Sequence, residues 1–283
     1  MSGASLTDSH PGDVLLRKER FPHIWCPGCG LGNAVRCYVE AIQESETPSD
    51  RHVVVSGIGC SGRVAGYVNI DSYHTTHGRP IPFATGLKLA RPELEVTVFS
   101  GDGDLITIGG NHFIHAVRRN LDLNLLFVNN FNYGMTGGQF GATTPYAART
   151  TTTPYGNFEQ AFNMPLLAAA CGAPFVARWT TLHVRQLKDA IRRAFEVRGL
   201  AFVEIISPCP IGFGRKNRFA DAMDEMNHFR TGAVVDNDAD LREVAITMRR
   251  GDPIVVGNFV DVERPSYDVG KDRLLKKVRE ELP

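Results

Sequence analysis

Two acidic and two amide side chains stand at a spacing that suits a metal-bridged phosphate. Gly101-Asp102-Gly103-Asp104 is followed, after 24 intervening residues, by Asn129-Asn130. Glycine lets backbone N–H groups approach an anion closely. Mg²⁺ demands octahedral oxygen ligands and commonly takes one or two protein side chains together with phosphate oxygens. Asp102 offers a carboxylate and Asn130 an amide oxygen. A chain turning after Asn130 could add a main-chain carbonyl, with Asn132 the candidate. Each piece alone reads as a tight turn. The two together, at this spacing, point to a diphosphate held through Mg²⁺. A dinucleotide fold competes poorly, because no G-x-G-x-x-G opens a helix with an acidic residue downstream.

The cysteines offer a second chemistry. Cys26 and Cys29 form a C-x-x-C within Trp25-Cys26-Pro27-Gly28-Cys29-Gly30, Cys60 lies in Gly-Ile-Gly-Cys-Ser-Gly, and Cys209 in Ser-Pro-Cys-Pro. All four occupy Gly/Pro-rich stretches, where backbone N–H groups are free to bond cluster sulfurs. Cys37 and Cys171 fall in apolar helical patterns and read as small buried residues. Four thiolates suit Zn²⁺ or a [4Fe–4S] cluster, and a thioredoxin-like C-x-x-C is a weaker third reading. The neighbouring diphosphate motif favours the cluster. That motif resembles the thiamine-diphosphate signature, which implies decarboxylation of a 2-oxoacid on thiamine; this leaves electrons to be carried away, and zinc has no redox chemistry to carry them.

These motifs need elements that place them. Val53–Val55, Val96–Phe99, Leu125–Val128, Phe175–Ala177 and Phe202–Ile206 read as short apolar strands. Helical patterns separate them. One follows Asp104, with Ile108, His112, Ile114, His115 and Val117 on one side, and stops near Asn120. Others run from Ala161 to Cys171 and from Leu182 to Val197. Strands alternating with helices predict an α/β, doubly wound, mostly parallel sheet covered on both faces. In such sheets the functional groups collect beyond the carboxyl ends of the strands, where every motif above falls. Residues 131–156 form a long Gly/Thr/Pro-rich loop, and such loops inside compact domains are usually functional. The expected organisation is an N-terminal arm at 1–22, a cofactor-binding α/β domain at 23–218 and a charged, helical C-terminal extension at 219–283.

Composition narrows the class. Lys plus Arg and Asp plus Glu are 31 each, so nothing suggests a nucleic-acid footprint. No apolar run is long enough to cross a bilayer, and the polar start MSGASLTDSHPGD lacks a secretory pattern. A cytoplasmic protein is expected. Six cysteines among 283 residues do not make a disulfide scaffold.

The stretches WCPGCG at 25–30, GIGCSGR at 57–63, HGRPIPFATGLKLA at 77–90, GDGDLITIGGNH at 101–112, NNFNYGMTGGQ at 129–139 and SPCP at 207–210 occur in that order. Together they resemble the thiamine-diphosphate-binding β subunit of 2-oxoacid:ferredoxin oxidoreductases over roughly residues 21–215. The resemblance implies that Cys26, Cys29, Cys60 and Cys209 ligate [4Fe–4S]. It implies that Asp102, Asn130 and the Asn132 carbonyl hold Mg²⁺, and that Ile58, Gly59, Cys60, Ser61, His77, Gly103, Asp104, Gly134, Met135 and Thr136 line thiamine diphosphate. His77 is also the candidate catalytic residue, reaching phosphate or a substrate oxygen. Family members convert a 2-oxoacid, coenzyme A and oxidised ferredoxin into acyl-CoA, CO₂ and reduced ferredoxin. Tyr133 to Gln139 looks most like the 2-oxoglutarate branch.

Three expectations follow from that resemblance. The carboxylate that activates thiamine has no second domain here to come from, so an α subunit, possibly fused to a γ subunit, should supply it. Arg215, Lys216 and Arg218 read as a solvated basic turn or as a docking patch for acidic ferredoxin. Thr143 to Thr153 reads as a surface loop or a polar cover over the site. Two competing functions stay in view: a non-oxidative thiamine decarboxylase subunit, which needs no cluster, and a zinc-stabilised binding or scaffold subunit, which leaves the diphosphate motif idle.

Overall fold

The computed structural model describes residues 11–249 and 251–282. Eight strands build one sheet: β1 (His52–Ser56), β2 (Asp71–His74), β3 (Glu95–Gly101), β4 (Asn124–Asn129), β5 (Phe175–Thr180), β6 (Ala201–Ile206), β7 (Ala233–Val235) and β8 (Ile254–Asp261). Their order is β2-β1-β3-β4-β6-β5-β8-β7. The first six are mutually parallel, while β8 pairs antiparallel with β5 and parallel with β7. This is the doubly wound, mostly parallel sheet that the strand and helix pattern predicts.

Helices cover both faces. On one side lie α1 (Leu31–Gln43) and α6 (Val184–Glu196), packed on each other. The short α2 (Val64–Tyr67) joins the same core. The α6 helix buries Leu187, Ala190, Ile191, Ala194 and Phe195, an i, i+3, i+4 stripe that turns its arginines to solvent. Tyr38 of α1 sets its ring edge-on to Phe99 of β3 at 5.8 Å. Truncating Phe99 to alanine would cost about 3–5 kcal/mol at this fully buried contact. On the other face lie α3 (Pro80–Ala90), α4 (Gly110–Arg118) and α5 (Met164–Cys171), with a second apolar core beneath them.

Several elements differ from the sequence expectation for identifiable reasons. The helix after Asp104 opens with a π turn at Gly103–Ile108, closed by Gly109 N–H donating to the Asp104 carbonyl at 3.1 Å. The extra residue shifts the helix phase. Leu105, Ile106, Phe113, Ala116 and Val117 are buried, whereas Ile108 and Ile114, grouped on one side with Val117 in the sequence pattern, face out. The α5 helix starts at Met164 rather than Ala161. The Asn163 side chain accepts from Leu166 N–H, and Pro165 occupies the first turn, as helix starts favour. Strand β5 runs on to Thr180 because Arg178, a charge that interrupts the apolar run, is buried against Glu204 of β6 at 2.6 Å. The polar edge strand β2 carries no apolar signal.

The segment after Phe219, expected as a helical extension, does hold α7 (Ala222–Gly232) and α8 (Tyr267–Glu281). It also supplies β7 and β8, so it extends the sheet itself. Of the expected N-terminal arm, residues 1–10 lie outside the described residues. From 11 to 22 the chain packs down: Leu15 is buried, and Leu16 bridges Val68. Among the described residues, no helix is long and apolar enough to cross a membrane.

Candidate active site

Four neighbouring strands end at the four motifs. β1 runs into Gly57-Ile58-Gly59-Cys60, β3 into Asp102-Gly103-Asp104, β4 into Asn130 and β6 into Ser207-Pro208-Cys209. The order β2-β1-β3 places successive strands on opposite sides of β1, the switch point where open α/β sheets bind ligands. A small cleft there is lined by Ile58, Gly59, Cys60, Ser61, Asp102, Gly103, Asp104, Asn130, Asn132, Tyr133 and Gly134. Residues far apart in sequence therefore meet because parallel strands in one sheet share an end.

Asp102 is buried, and no Lys or Arg pairs with it among the described residues. Its carboxylate accepts from Gly103 N–H at 2.8 Å and from the Thr143 hydroxyl at 3.0 Å. Burial pushes the acid up to about 6, against these hydrogen bonds, which pull it down. A buried carboxylate without a cationic side chain fits a divalent cation, which would keep it ionised. Asn130 lines the cleft. Asn132 donates from Nδ2 to the Asn130 carbonyl at 2.6 Å, and its Oδ1 lies 4.0 Å from Cys209 Sγ. Open space lies over Gly59, whose φ of +125° favours glycine.

Asp104 also lines the cleft, yet its carboxylate is occupied within the fold. It accepts from Ile58 N–H at 3.1 Å, Gly78 N–H at 2.6 Å, His77 Nδ1 at 2.5 Å and the Ser100 hydroxyl at 2.5 Å. A Cβ on Gly57 would stand 1.9 Å from that carboxylate, so only glycine fits there. His77 sits at the rim, partly exposed, with its ring perpendicular to Tyr133 at a centroid distance of 6.1 Å. Met135 and Thr136 stand exposed on the turn between Tyr133 and Gln139, where the Thr136 hydroxyl donates to Gln139 Oε1 at 2.7 Å.

The cysteine loops are fastened to one another. Trp25 Nε1–H donates to the Cys60 carbonyl at 2.8 Å. Gly30 N–H reaches the Pro208 carbonyl at 3.5 Å, and a Cβ on Gly30 would strike Thr181, Ser207 and Pro208. Cys60 and Cys209 both present Sγ toward Gly134, at 3.7 and 3.5 Å from the position its Cβ would take. Cys209 N–H donates to Glu225 of α7 at 3.1 Å. Burial pushes Cys29 up to about 12 and Cys60 up to about 11, with further increments from the neighbouring cysteines. Cys26 is exposed. Cys37 is buried in α1, its Sγ near the Val184 carbonyl, and Cys171 packs at the edge of the other core. No three His, Cys, Asp or Glu side chains among the described residues converge closely enough to hold a single metal ion.

Residues 57–205, from the end of β1 into β6, match the family model described as the thiamine pyrophosphate enzyme, C-terminal TPP binding domain. The 2-oxoglutarate synthase subunit KorB of Methanocaldococcus jannaschii is 46% identical over 273 residues, covering 96% of this chain and 100% of that one. The KorB subunit of Archaeoglobus fulgidus is 51% identical over 195 residues, 69% of this chain and 73% of that one. A solved 2-oxoglutarate:ferredoxin oxidoreductase from Magnetococcus marinus, with 2-oxoglutarate, coenzyme A and succinyl-CoA bound, superposes with a TM-score of 0.83 at 29% identity. That superposition covers 97% of this chain and 93% of that one. The chain belongs to the 2-oxoacid:ferredoxin oxidoreductase β-subunit family.

In this family member two residues near the candidate site are not among the expected site residues. Tyr133 lays its ring against Gly103, where a Cβ would stand 2.4 Å from it. Thr143, from the long loop, holds Asp102. Nothing in the run Ala142-Thr143-Thr144-Pro145 distinguishes Thr143 from its neighbours. The loop that could have been an ordinary surface segment in fact buries Thr143, Thr144 and Thr150. Lys216 donates to the carbonyls of Gly212 and Gly137 at 3.1 and 3.4 Å, pinning the 133–139 turn, while Arg215 and Arg218 point to solvent.

Proposed function

We propose that this chain is the cofactor-binding β subunit of a cytoplasmic 2-oxoglutarate:ferredoxin oxidoreductase. The reaction converts 2-oxoglutarate, coenzyme A and oxidised ferredoxin into succinyl-CoA, CO₂ and reduced ferredoxin. One observation carries the reading: a buried carboxylate without a cationic side chain lies at the strand ends of a thiamine-diphosphate-binding fold, beside Cys60 and Cys209 at neighbouring strand ends and the Cys26–Cys29 loop fastened to them. The names of the relatives favour 2-oxoglutarate among the 2-oxoacids.

Asp102, the Asn130 amide and the Asn132 carbonyl would hold Mg²⁺ against the diphosphate. Ile58 to Ser61, Gly103, Gly134, Met135 and Thr136 would contact the cofactor, with His77 at the rim and Asp104 anchoring the surrounding loops. Thiamine diphosphate, when bound, supplies carbanion stabilisation. Cys26, Cys29, Cys60 and Cys209 would ligate a [4Fe–4S] cluster. Their spread supports a cluster over zinc, because a single tetrahedral Zn²⁺ at ~2.3 Å from each sulfur needs a compact quartet, whereas a four-iron cube takes one thiolate at each corner. Arg215 and Arg218 would face an acidic ferredoxin, and an α subunit would provide the activating carboxylate. The test is anaerobic co-expression with that subunit. Stoichiometric iron and sulfide, with 2-oxoglutarate- and CoA-dependent ferredoxin reduction, are expected. Zinc in place of iron, or decarboxylation without electron transfer to any acceptor, would overturn the reading.

A further inference from the structure

The four groups around Asp104 determine the state of His77. Ile58 N–H and Gly78 N–H can only donate, and both point at the same carboxylate oxygen that His77 Nδ1 approaches at 2.5 Å. The other oxygen takes the Ser100 hydroxyl. If Nδ1 were an acceptor, Asp104 would need a proton on the oxygen that already faces two N–H donors. Nδ1 therefore carries the proton and donates it. In the neutral ring that leaves Nε2 bare. Nε2 has no hydrogen-bond partner among the described residues, and its ring sits partly exposed beside Tyr133, which lines the cofactor cleft. The carboxylate is itself held by three segments, the ends of β1 and β3 and the loop before α3. The imidazole is thus fixed in orientation as well as in tautomer.

We propose that Asp104 is a positioning residue, which holds His77 as the Nδ1–H tautomer so that Nε2 faces the bound reactants as a proton acceptor. A buried carboxylate behind a histidine steadies the imidazolium that forms when Nε2 takes a proton, the role such pairs play in hydrolytic triads. The proton comes from a reactant O–H, N–H or S–H at the cleft and resides on Nε2 until it returns to product or solvent. No electron transfer is involved. The same arrangement explains why Gly57 and Gly78 are glycines: a Cβ on Gly57 would displace the Asp104 carboxylate, and Gly78, at φ +73°, presents its N–H to it. This inference rests on the proposed oxidoreductase function.

Two measurements on the full chain test it. Long-range ¹H–¹⁵N spectra of histidine-labelled protein should show His77 protonated at Nδ1 and bare at Nε2, and Asp104→Asn should shift it toward the opposite tautomer. In the assembled complex, His77→Gln should lower kcat by about 100-fold, the usual scale for losing a positioned acid–base group. Asp104→Asn should lower it in the same direction. The double variant should be no slower than His77→Gln alone, because Asp104 acts through His77. Losses that multiply in the double variant, or a wild-type His77 protonated at Nε2, would overturn the assignment. If Asp104→Asn fails to fold, the wild-type spectrum still decides. A wild-type complex without oxoacid-dependent reduction would instead sink the functional reading, and the spectrum would judge Asp104 separately.

Discussion

The Thr143 hydroxyl donates to Asp102 Oδ2 at 3.0 Å, tying the long loop after β4 to the carboxylate at the end of β3. A hydrogen bond to a charged group contributes about 1.5–3 kcal/mol, so Thr143→Val should weaken Mg²⁺–thiamine diphosphate binding by roughly ten- to a hundredfold. Asp102→Ala should abolish it. Because burial holds Asp102 near 6, protons compete with the cation, and affinity should fall as pH drops below that value. The sign for stability is opposite. A raised acid stabilises the cation-free fold at low pH, and that contribution is lost as pH rises through about 6. Asp102→Asn should therefore raise the melting temperature of the cofactor-free chain at pH 8 while failing to bind the cofactor. Calorimetric titration and thermal melts check both. Unchanged affinity in Asp102→Ala would remove the metal assignment.

A second acid tests the same linkage away from the site. Glu95, at the start of β3, bonds the Asn124 amide and is pushed from 4.5 up to about 7 by burial, with Lys88 partly opposing the shift. The unfolded chain releases this proton near 4.5, whereas the folded chain keeps it to about 7. Stability is full below 4.5 and declines through that window. Glu95→Gln should then match wild type at pH 4, gain steadily between pH 4.5 and 7, and hold a constant advantage above. Thermal melts across this range are the measurement, and an advantage that shrinks with rising pH would contradict the assignment.

Which features were legible in the sequence follows from how locally each is encoded. Asp102, Asn130, Cys60 and Cys209 sit in short Gly- or Pro-flanked runs at strand ends, and the apolar strand pattern shows which end they share; Cys26 and Cys29, expected at a strand end too, instead lie in the loop before α1. The π turn at Gly103–Ile108 was hidden because it depends on one hydrogen-bond offset, and in the structure Ile108 and Ile114 are exposed while Val117, grouped with them in the sequence pattern, is buried. Arg178 disguised the second half of β5, since a charge reads as the end of a buried strand until its partner Glu204, 26 residues on, is known. Strand β8 was unreadable for the same kind of reason. Its antiparallel place beside β5 is set by tertiary contact, within a charged tail that suggests only helix. The Asp104 network likewise joins groups at 58, 77–78 and 100 that no spacing rule connects.

The cysteines divide cleanly by location. Serine at Cys26, Cys29, Cys60 or Cys209 should lower iron content and electron transfer in the anaerobically purified complex. Alanine at Cys37 or Cys171 should leave iron unchanged, since one is buried in α1 and the other packs against the opposite core. Cys37→Ala should still cost about 1 kcal/mol of stability as a small cavity. Iron and sulfide analysis beside thermal melts separates the two classes. Equal iron loss at all six positions would mean that the cluster assignment follows protein damage rather than ligation.

Among the described residues, no free carboxylate lines the cleft to activate thiamine. The carboxylates among its described lining residues are Asp102 and Asp104, and both are engaged, one buried beside Gly103 and Thr143, the other by four donors. Under the proposed function the activating group would come from a partner subunit, and exposed apolar side chains on this chain offer it a surface. Tyr73 and Phe83 stack at 4.9 Å and are each 42% exposed, while Ile58, Ile108 and Ile114 also point outward. The α3 and α4 helices that carry Phe83 and Ile114 pack side by side. Apolar groups left facing water next to an incomplete site fit a surface that a partner covers. Phe83→Glu combined with Ile114→Glu should leave the single chain folded, because neither side chain belongs to a buried core. The double variant should no longer co-purify with the α subunit, since burying two charges at an interface without partners is strongly unfavourable. The unmodified chain alone should bind thiamine diphosphate weakly and decarboxylate no 2-oxoacid. Adding the α subunit should restore CoA-dependent reduction of ferredoxin or a viologen dye. Co-purification of the double variant at wild-type yield would show that the partner docks elsewhere. Decarboxylation by the lone chain at the rate of the complex would show that it carries its own activating acid.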